Sequence, residues 1–307
     1  MDLSLTDDQR AILDALDSMA RPHEAAPLHE AGFTATNCAL ERDLEQGGFL
    51  DVGFDPDLGT VTAALVVERL ARLPIAVEAG ASALVRPLLG KAFARPICLV
   101  EAGKLERPVR FLREGAQVVV VGDEVTSFVA SSNNFRAEPE ALFAYPMATL
   151  LDLPATNSVA AQPDAVRTRW RVALAAETAG LMFAALASVA AHTSERQQFG
   201  RPLATFQALR HRLAEAQVRT NGVYWLAMKA AATMDPADAG MAAFHAQESA
   251  RVVVYDFHQF LGAMGMTLEH PLHLWTYRLK ALIGELGGRG ANALAAADAI
   301  WGNRGEF

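Results

Sequence analysis

The first third of the chain repeats short helical patterns of apolar residues, each ended by proline or glycine. Thr6 is suited to cap a helix over DDQRAILDALDSMA, whose apolar positions fall on one face. A second helix is predicted from Ala39 to Gln46, where two glycines end it. A third runs through TVTAALVVERLARL until Pro74, and a fourth through IAVEAGASALVRPLLG. We therefore predict an N-terminal helical domain over residues 1–93.

The pattern changes in the middle of the chain. The segments ICLVEA, VRFLRE, AQVVVVGD and VTSFVAS are short β-branched runs separated by Gly, Pro, Asn and Asp, which is typical of strands joined by turns. Their alternation of apolar and polar residues is imperfect and does not define which strands pair. We predict a small, shortened β-sheet domain over residues 94–165.

The remainder of the chain is helical again. RVALAAETAGLMFAALASVAAHTSERQQF is apolar on more than one side, as in a helix buried within a bundle. A second helix is predicted from Thr205 to Met234, a third over MAAFHAQESARVVVYDFHQFLGAMG, and two shorter ones after Pro271 and Gly290. The predicted fold class is therefore mainly α with a small β-domain, and residues 166–307 form an antiparallel helical bundle.

Composition narrows the choice of function. The 307 residues carry a net charge of -8, and 51% of them are apolar, so we expect a globular protein that does not bind nucleic acid. Cys38 and Cys98 have no metal-ligand spacing, which indicates two ordinary buried thiols in a reducing compartment. The N-terminal residues do not resemble a signal peptide, and no apolar run reaches the roughly 18 residues that cross a membrane. The sequence thus predicts a cytoplasmic protein.

One unusual segment, SERQQFGRPLATFQALRHRLAE, lies between two predicted helices. It places Arg196 at the end of one helix and Gln207 in the first turn of the next, with a tight link between them. An arginine at such a corner can present a planar, permanently charged group to a phosphate, and Phe199 can offer a flat apolar surface. The alternative is an ordinary turn in which Arg196 interacts with the helix dipole and Phe199 and Phe206 join the core.

A second segment, HQFLGAMGMTLEHPLHLWTYRLK, has a similar composition. Gln259 ends a helix there, and Gly262 and Gly265 permit close approach of a backbone or ligand. Glu269 is expected to form a structural pair at the turn. The two histidines that follow have too few neighbouring ligands, so we predict no metal site.

Together these two segments resemble the flavin-contacting segments of the acyl-CoA dehydrogenase family, whose helical, β, helical domain order is also similar. The resemblance implies an FAD enzyme that removes two hydrogens across the Cα–Cβ bond of an acyl-CoA thioester. It implies that Arg196 contacts the FAD diphosphate, that Phe199 packs along the cofactor, and that Gln207 bonds its ribityl or adenosine part. Gln259, Gly262 and Gly265 would hold the adenine end, across a subunit interface.

The chain also departs from the family pattern. The β-domain lacks a TEP…AGSD-like segment, which in the family contacts the flavin ring. The family's catalytic glutamate occupies one of two places, which here fall at Trp170 and Arg171 and near Glu285. Glu285 is the candidate catalytic base, or else a solvent-facing helix residue. Arg171 matches an arginine near the acyl site of some members, or is an exposed charge at a helix start.

These departures indicate a subunit that works with a fuller partner. The resemblance is to short actinobacterial acyl-CoA dehydrogenase chains, which join a related larger chain in a heterotetramer and often act on steroid-derived CoA thioesters. An electron-transfer flavoprotein-type acceptor would then receive the electrons. The alternatives are a self-sufficient homomeric dehydrogenase that uses Glu285 as base, and a non-catalytic scaffold subunit that has lost flavin binding.

Overall fold

The computed structural model describes residues 4–26 and 34–302. Its helices, in chain order, are α1 (Asp7–Ala20), α2 (Cys38–Gln46), α3 (Gly59–Ala71), α4 (Arg86–Leu89), α5 (Pro163–Glu195), α6 (Gln207–Thr233), α7 (Pro236–Leu261), α8 (Leu272–Ile283) and α9 (Gly288–Trp301). The strands are β1 (Ile97–Glu101), β2 (Pro108–Arg110), β3 (Gln117–Val121), β4 (Val125–Val129), β5 (Phe135–Ala137), β6 (Met147–Leu150), β7 (Asn157–Ser158), β8 (Gln197–Gln198) and β9 (Arg201–Pro202). The predicted fold class, mainly helical with a small sheet region between helical parts, is confirmed.

Side-chain hydrogen bonds cap the N-terminal ends of α1 and α2. The Thr6 hydroxyl accepts a hydrogen bond from the Gln9 amide, and the Gln9 side chain accepts one from the Thr6 amide, which completes a capping box for α1. Asn37 caps α2 through its side-chain oxygen alone, which accepts from the amides of Ala39 and Leu40. The predicted ends of these helices are thus confirmed.

The predicted fourth helix is wrong over its first half. Residues 75–79 are not helical, and regular helix is confined to a π-helical turn at Ala81–Val85 followed by α4. The cause is a tertiary contact: the buried guanidinium of Arg278 in α8 donates to the carbonyl oxygens of Leu73 and Ile75. A carbonyl that serves a distant side chain is no longer required for a helical hydrogen bond, and this segment stays non-helical beside α8.

The strands form two main sheets instead of one. β1 pairs in parallel with β3, which pairs antiparallel with β4 and through it with β7. β6 lies between β2 and β5 in an antiparallel second sheet. The four predicted strand segments all contain strands, but β5, β6 and β7 were not predicted, since each is short and lacks a β-branched run.

The helix α5 is the centre of the bundle. By length and composition it passes as a membrane-spanning helix, but 78% of its apolar window is buried inside the protein, as in the core helix of a bundle. It packs closely on α3 at Gly180, where a Cβ atom would collide with the backbone oxygen of Glu68. Small residues along α5 thus permit close helix packing.

Two hydrophobic cores stabilise the fold. The larger one joins the N-terminal helices to the C-terminal bundle, and the smaller one fills the space between the two sheets. Helices, strands and helices therefore follow one another in the predicted order, while the limits of the domains at residues 93 and 165 stay a prediction. Cys98 is buried in the smaller core, whereas Cys38 is exposed, contrary to the expectation of two buried thiols.

Candidate functional site

A short hairpin makes the corner between α5 and α6. Strands β8 and β9 are joined by Phe199 and Gly200, whose φ angles of 55° and 75° are both positive. Two positive φ angles give the mirror-image turn whose twist suits a two-residue hairpin. Glycine adopts this conformation readily, but phenylalanine does so at a cost, and the Phe199 side chain is 88% exposed. The alternative in which Phe199 joins the core is therefore wrong, and its contact with a cofactor stays a prediction.

Arg196 lies at the base of this hairpin. Its amide donates to the carbonyl of His192 and its carbonyl accepts from Leu203, so its backbone is fixed on both sides. Its side chain is exposed, and no carboxylate within the described part of the chain forms an ion pair with it. Gln207 is the first residue of α6 and is also exposed. A fixed backbone that carries an open guanidinium is suited to bind an anion.

The second predicted segment forms the corner after α7. Gln259 is exposed in the last turn of α7, and Gly262, with a φ of 59°, ends that helix. Gly265 is buried, and a Cβ atom there would lie 2.9 Å from the carbonyl oxygen of His258. The chain needs glycine at 265 because the following turn folds back onto the end of α7.

The two corners lie at the same end of the bundle. The rings of His192, one turn before Arg196, and His270, before α8, meet edge to face with centroids 5.4 Å apart. Burial, together with the positive charge of neighbouring histidines, lowers the pKa of His270 to about 4. His270 Nδ1 accepts from the Leu272 amide over 3.2 Å and so caps α8 in its neutral form.

The corner after α7 is also where the sequence predicted an ion pair of Glu269 and no metal site. Glu269 is exposed, and its predicted ion pair is not found within residues 4–26 and 34–302. Over the same residues, no group of three or more His, Cys, Asp or Glu side chains could hold a metal ion.

A separate cavity of about 270 Å³ lies between the N-terminal segment, the two sheets and the bundle. Most of its wall is apolar and comes from β1, β2, α5 and the end of α8, with residues such as Ile97, Val109, Phe111, Met147 and Leu174. Trp170 and Glu285 also line it. The cavity therefore brings together the two places at which the family resemblance positions a catalytic base.

Glu285 is held on both of its carboxylate oxygens. Arg110 Nε donates to Oε1 over 2.5 Å, and the Trp170 indole donates to Oε2 over 3.1 Å. Arg110 Nη1 also reaches both oxygens of Glu177 at 3.1 Å, and the Tyr145 hydroxyl donates to Glu177 over 2.6 Å. The side chains of Arg110 and Glu285 are each 18% exposed. Glu285 therefore faces the cavity within a closed network and is not a solvent-facing residue.

The surroundings of Arg110 and Tyr145 in this network raise the pKa values of both side chains. Burial acts to lower the pKa of Arg110, but the carboxylates of Glu177 and Glu285 more than reverse this, so the pKa lies well above its ordinary value. Burial and the adjacent Glu177 raise the pKa of Tyr145 well above its ordinary value. Arg110 is thus a permanent cation, and Tyr145 a permanent hydrogen-bond donor.

Arg171 lies outside this cavity. Its Nε donates to the side-chain oxygen of Asn292 in α9 over 2.9 Å, and Asn292 is itself buried and bonded to Gln247. Arg171 therefore connects α5 to α9. It is half-buried, so the alternative of an exposed charge at a helix start is wrong.

Sequence reasoning missed three members of the network, Arg110, Tyr145 and Glu177. Glu177 gave a usable signal, since it is an isolated carboxylate in the alanine-rich, largely buried middle of α5. A buried carboxylate requires a partner, but nothing local indicates that this partner is Arg110, 67 residues earlier.

Comparisons with known proteins agree with this architecture. A family model described as acyl-CoA dehydrogenase, C-terminal domain, matches residues 168–294. The acyl-CoA dehydrogenase IpdE2 of Mycolicibacterium smegmatis is 27% identical over 259 residues, which cover 74% of this chain and 83% of that protein.

Two solved structures share the fold at lower identity. The Tcur3481-Tcur3483 steroid ACAD, solved as a variant, is similar at a TM-score of 0.76 and 22% identity, covering 97% of this chain and 98% of that one. The ChsE4-ChsE5 complex from Mycobacterium tuberculosis is similar at a TM-score of 0.73 and 17% identity, covering 98% and 99%. The C-terminal bundle of this chain therefore matches the C-terminal domain of the acyl-CoA dehydrogenases, and the chain as a whole shares the fold of these solved structures.

Proposed function

We propose that this chain is the smaller subunit of an FAD-dependent acyl-CoA dehydrogenase, in which it joins a related larger chain in a heterotetramer. The complex would remove two hydrogens across the Cα–Cβ bond of a CoA thioester, with a steroid-derived acyl group as the substrate class. A cytoplasmic location and an electron-transfer flavoprotein-type acceptor complete the proposal.

The observation that carries the proposal is the bundle end with Arg196, Phe199, Gln207 and Gln259. These four side chains are all exposed, and the guanidinium of Arg196 has no carboxylate partner within the described residues. A permanent cation, two amides and an exposed aromatic ring fit the diphosphate, polar and ring parts of a dinucleotide. They lie on an outer surface, where a second chain can contribute the remaining contacts.

The division of work between two chains follows from the cavity network. Bound flavin would supply the hydride acceptor. In this chain the carboxylate of Glu285 is engaged by Arg110 and Trp170, and it would have to leave both donors to reach a substrate carbon. A general base needs hydrogen-bond reach to the proton it removes. We therefore assign the base to the partner, and to this chain the binding of the FAD diphosphate through Arg196.

The related structures support the heteromeric part of the proposal. The ChsE4-ChsE5 structure is a complex, and the Tcur3481-Tcur3483 protein, which carries two component names, is a steroid ACAD. Both share nearly the whole fold of this chain, so an assembly of the same kind is compatible with its architecture.

The test is the substitution Arg196→Ala in the complex that this chain forms with its co-expressed partner. Loss of a charge-assisted contact of about 1.5–3 kcal/mol predicts a roughly ten- to hundredfold weaker affinity for FAD. The measurement is a titration of the flavin-free complex with FAD, followed by flavin fluorescence. The matched control is Arg136→Ala, which also removes one cation but lies in β5, paired to Glu138. Equal affinity in both variants would refute the assignment of Arg196.

A homomeric enzyme that uses Glu285 as base remains a second candidate, because Glu285 does line the cavity. Native mass together with flavin absorbance distinguishes the candidates. A yellow particle built from this chain alone, which reduces an electron acceptor and loses that activity in Glu285→Gln, favours the homomer. A particle with a second chain and bound flavin favours the heteromer, and a complex without flavin indicates a scaffold subunit.

A further inference from the structure

We infer that His258 is a positioning residue for the corner after α7. Its ring fixes the turn Gly262–Met266, and with it the place of Gln259 and Gly265, which the family resemblance assigns to the adenine end of FAD. The inference rests on the proposed function and adds to it a residue that the sequence did not indicate. His258 acts through the turn and not by contact with the cofactor.

The imidazole of His258 bridges three elements of the fold. It belongs to α7, and its Nδ1 lies 2.6 Å from the carbonyl oxygen of Gly265 in the following turn. Its Nε2 lies 2.9 Å from the hydroxyl oxygen of Thr276 in α8, and this hydroxyl lies 3.0 Å from the carbonyl oxygen of Leu272 in its own helix. Because each ring nitrogen has a partner on a different element, the ring cannot rotate without losing a bond.

The partners of the ring also determine which nitrogen carries the proton. A carbonyl oxygen only accepts, so Nδ1 must donate to Gly265. Burial lowers the pKa of His258; its bond to the Gly265 carbonyl opposes this, and the charges of Lys280 and His273 lower the pKa further. The ring is therefore neutral near pH 7, and its Nε2 accepts from the Thr276 hydroxyl. Both bonds are satisfied by a single tautomer.

The turn needs such a tie because of its glycines. Gly262 has a positive φ of 59°, and glycine loses more conformational freedom on folding than any other residue. Gly265 is packed so closely on the end of α7 that a Cβ atom there would lie 3.1 Å from Cβ of Leu261. The bond from His258 holds the carbonyl of Gly265 in this packed position. Gln259, the next residue after His258, is exposed beside the same turn, so one ring orders the whole corner.

Two substitutions separate the two bonds of the ring. In His258→Asn the side-chain nitrogen lies as many bonds from Cα as Nδ1 does, so it donates to Gly265 but does not reach Thr276. In His258→Gln the side-chain nitrogen corresponds to Nε2, so it reaches Thr276 and not Gly265. His258→Leu removes both bonds. Since the bond to Gly265 holds the turn, Asn should restore what Leu loses, and Gln should not.

The first measurement is the FAD affinity of the complex with the co-expressed partner, followed by flavin fluorescence. A hydrogen bond of ordinary strength corresponds to a factor of about two to twelve in an equilibrium constant. We expect His258→Leu and His258→Gln to bind FAD about fivefold more weakly than the wild type, and His258→Asn to stay within about twofold of it.

The second measurement needs no flavin. Amide hydrogen exchange of the flavin-free complex, read by mass spectrometry on the peptide that covers residues 262–267, reports local opening of the turn. Exchange should be about fivefold faster in His258→Leu and His258→Gln and nearly unchanged in His258→Asn. The matched control is His245→Leu, a half-buried histidine thirteen residues earlier on α7, which should change neither the exchange of this peptide nor the FAD affinity.

The Asn and Gln variants decide between positioning and a general effect on stability. A general loss of stability affects the two alike, so equal behaviour of His258→Asn and His258→Gln would overturn the inference. Wild-type affinity and exchange in His258→Leu would also overturn it. A wild-type complex that binds no FAD would refute the proposed function instead, and the exchange comparison would then still decide whether His258 fixes the turn.

Discussion

The network around Arg110 gives the sharpest prediction on stability. Substitution Arg110→Gln leaves two carboxylates, Glu177 and Glu285, side by side with side chains only 10% and 18% exposed. Removal of one partner from a buried ion pair costs about 3–5 kcal/mol, because the remaining charge is left without compensation. We therefore expect Arg110→Gln to reduce the free energy of unfolding by about that amount.

A double-mutant cycle isolates the interaction itself. Glu285→Gln removes one negative charge and keeps an acceptor oxygen for the Trp170 indole, so its cost should be smaller, about 1–2 kcal/mol. In the double variant Arg110→Gln/Glu285→Gln, one of the two uncompensated carboxylates is gone. The double variant should therefore lose at least about 1 kcal/mol less than the sum of the single variants.

The assay is thermal and denaturant unfolding of the same assembly for all variants. At roughly 2–4 °C per kcal/mol for a domain of this size class, Arg110→Gln should lower the melting temperature by on the order of 10 °C. The control cycle uses Glu215 and Arg219, which lie 2.8 Å apart on one face of α6 with the Glu215 side chain 56% exposed. Exposed pairs of this kind contribute about 0.3–0.5 kcal/mol. If Arg110→Gln costs no more than Arg219→Gln, burial does not decide the strength of the network, and the reasoning fails.

Two further predictions use other parts of the structure. Gly180→Ala should destabilise the protein by about 1–3 kcal/mol, because its Cβ would collide with α3. Gly290→Ala, whose Cβ would lie in open space on α9, should stabilise it by up to about 0.5–1 kcal/mol. Denaturant midpoints of the two variants check this, and a change of stability in the same direction for both would contradict the close packing at Gly180. The second concerns His270, whose pKa of about 4 lies below its ordinary value of 6.5, so the folded state binds fewer protons than the unfolded state between these values. Its stabilising contribution is therefore present above pH 6.5 and is lost as the pH falls toward 4. Melting temperatures across this range should fall more steeply for the wild type than for His270→Asn, which keeps a capping oxygen for α8, and parallel curves would count against it.

Local chemistry made much of the fold predictable. The capping box at Thr6 and the glycines after Gln46 act within a few residues, so these helix ends follow from the sequence. The end of α6 near Met234 was also predicted, but α7 begins at Pro236, five residues before the predicted start at Met241. The same holds for the strand-forming segments from Ile97 to Val129. The hairpin β8–β9 was not predicted, because its turn requires a positive φ at Phe199, a residue that seldom adopts one.

The candidate site also has one part that the sequence predicted and one part that only the tertiary structure revealed. The sequence by itself determined a helical, β, helical protein with an arginine and a glutamine at one bundle corner, because those positions follow from spacing along the chain. Only the tertiary structure placed Arg110 of β2 against Glu285, 175 residues away, and enclosed both in one cavity. The non-helical segment at 75–79, whose Ile75 carbonyl accepts from a buried arginine in α8, was decided in the same manner. Spacing fixes what a helix face presents, but the pairing of charges and carbonyls across elements depends on which surfaces the core brings into contact.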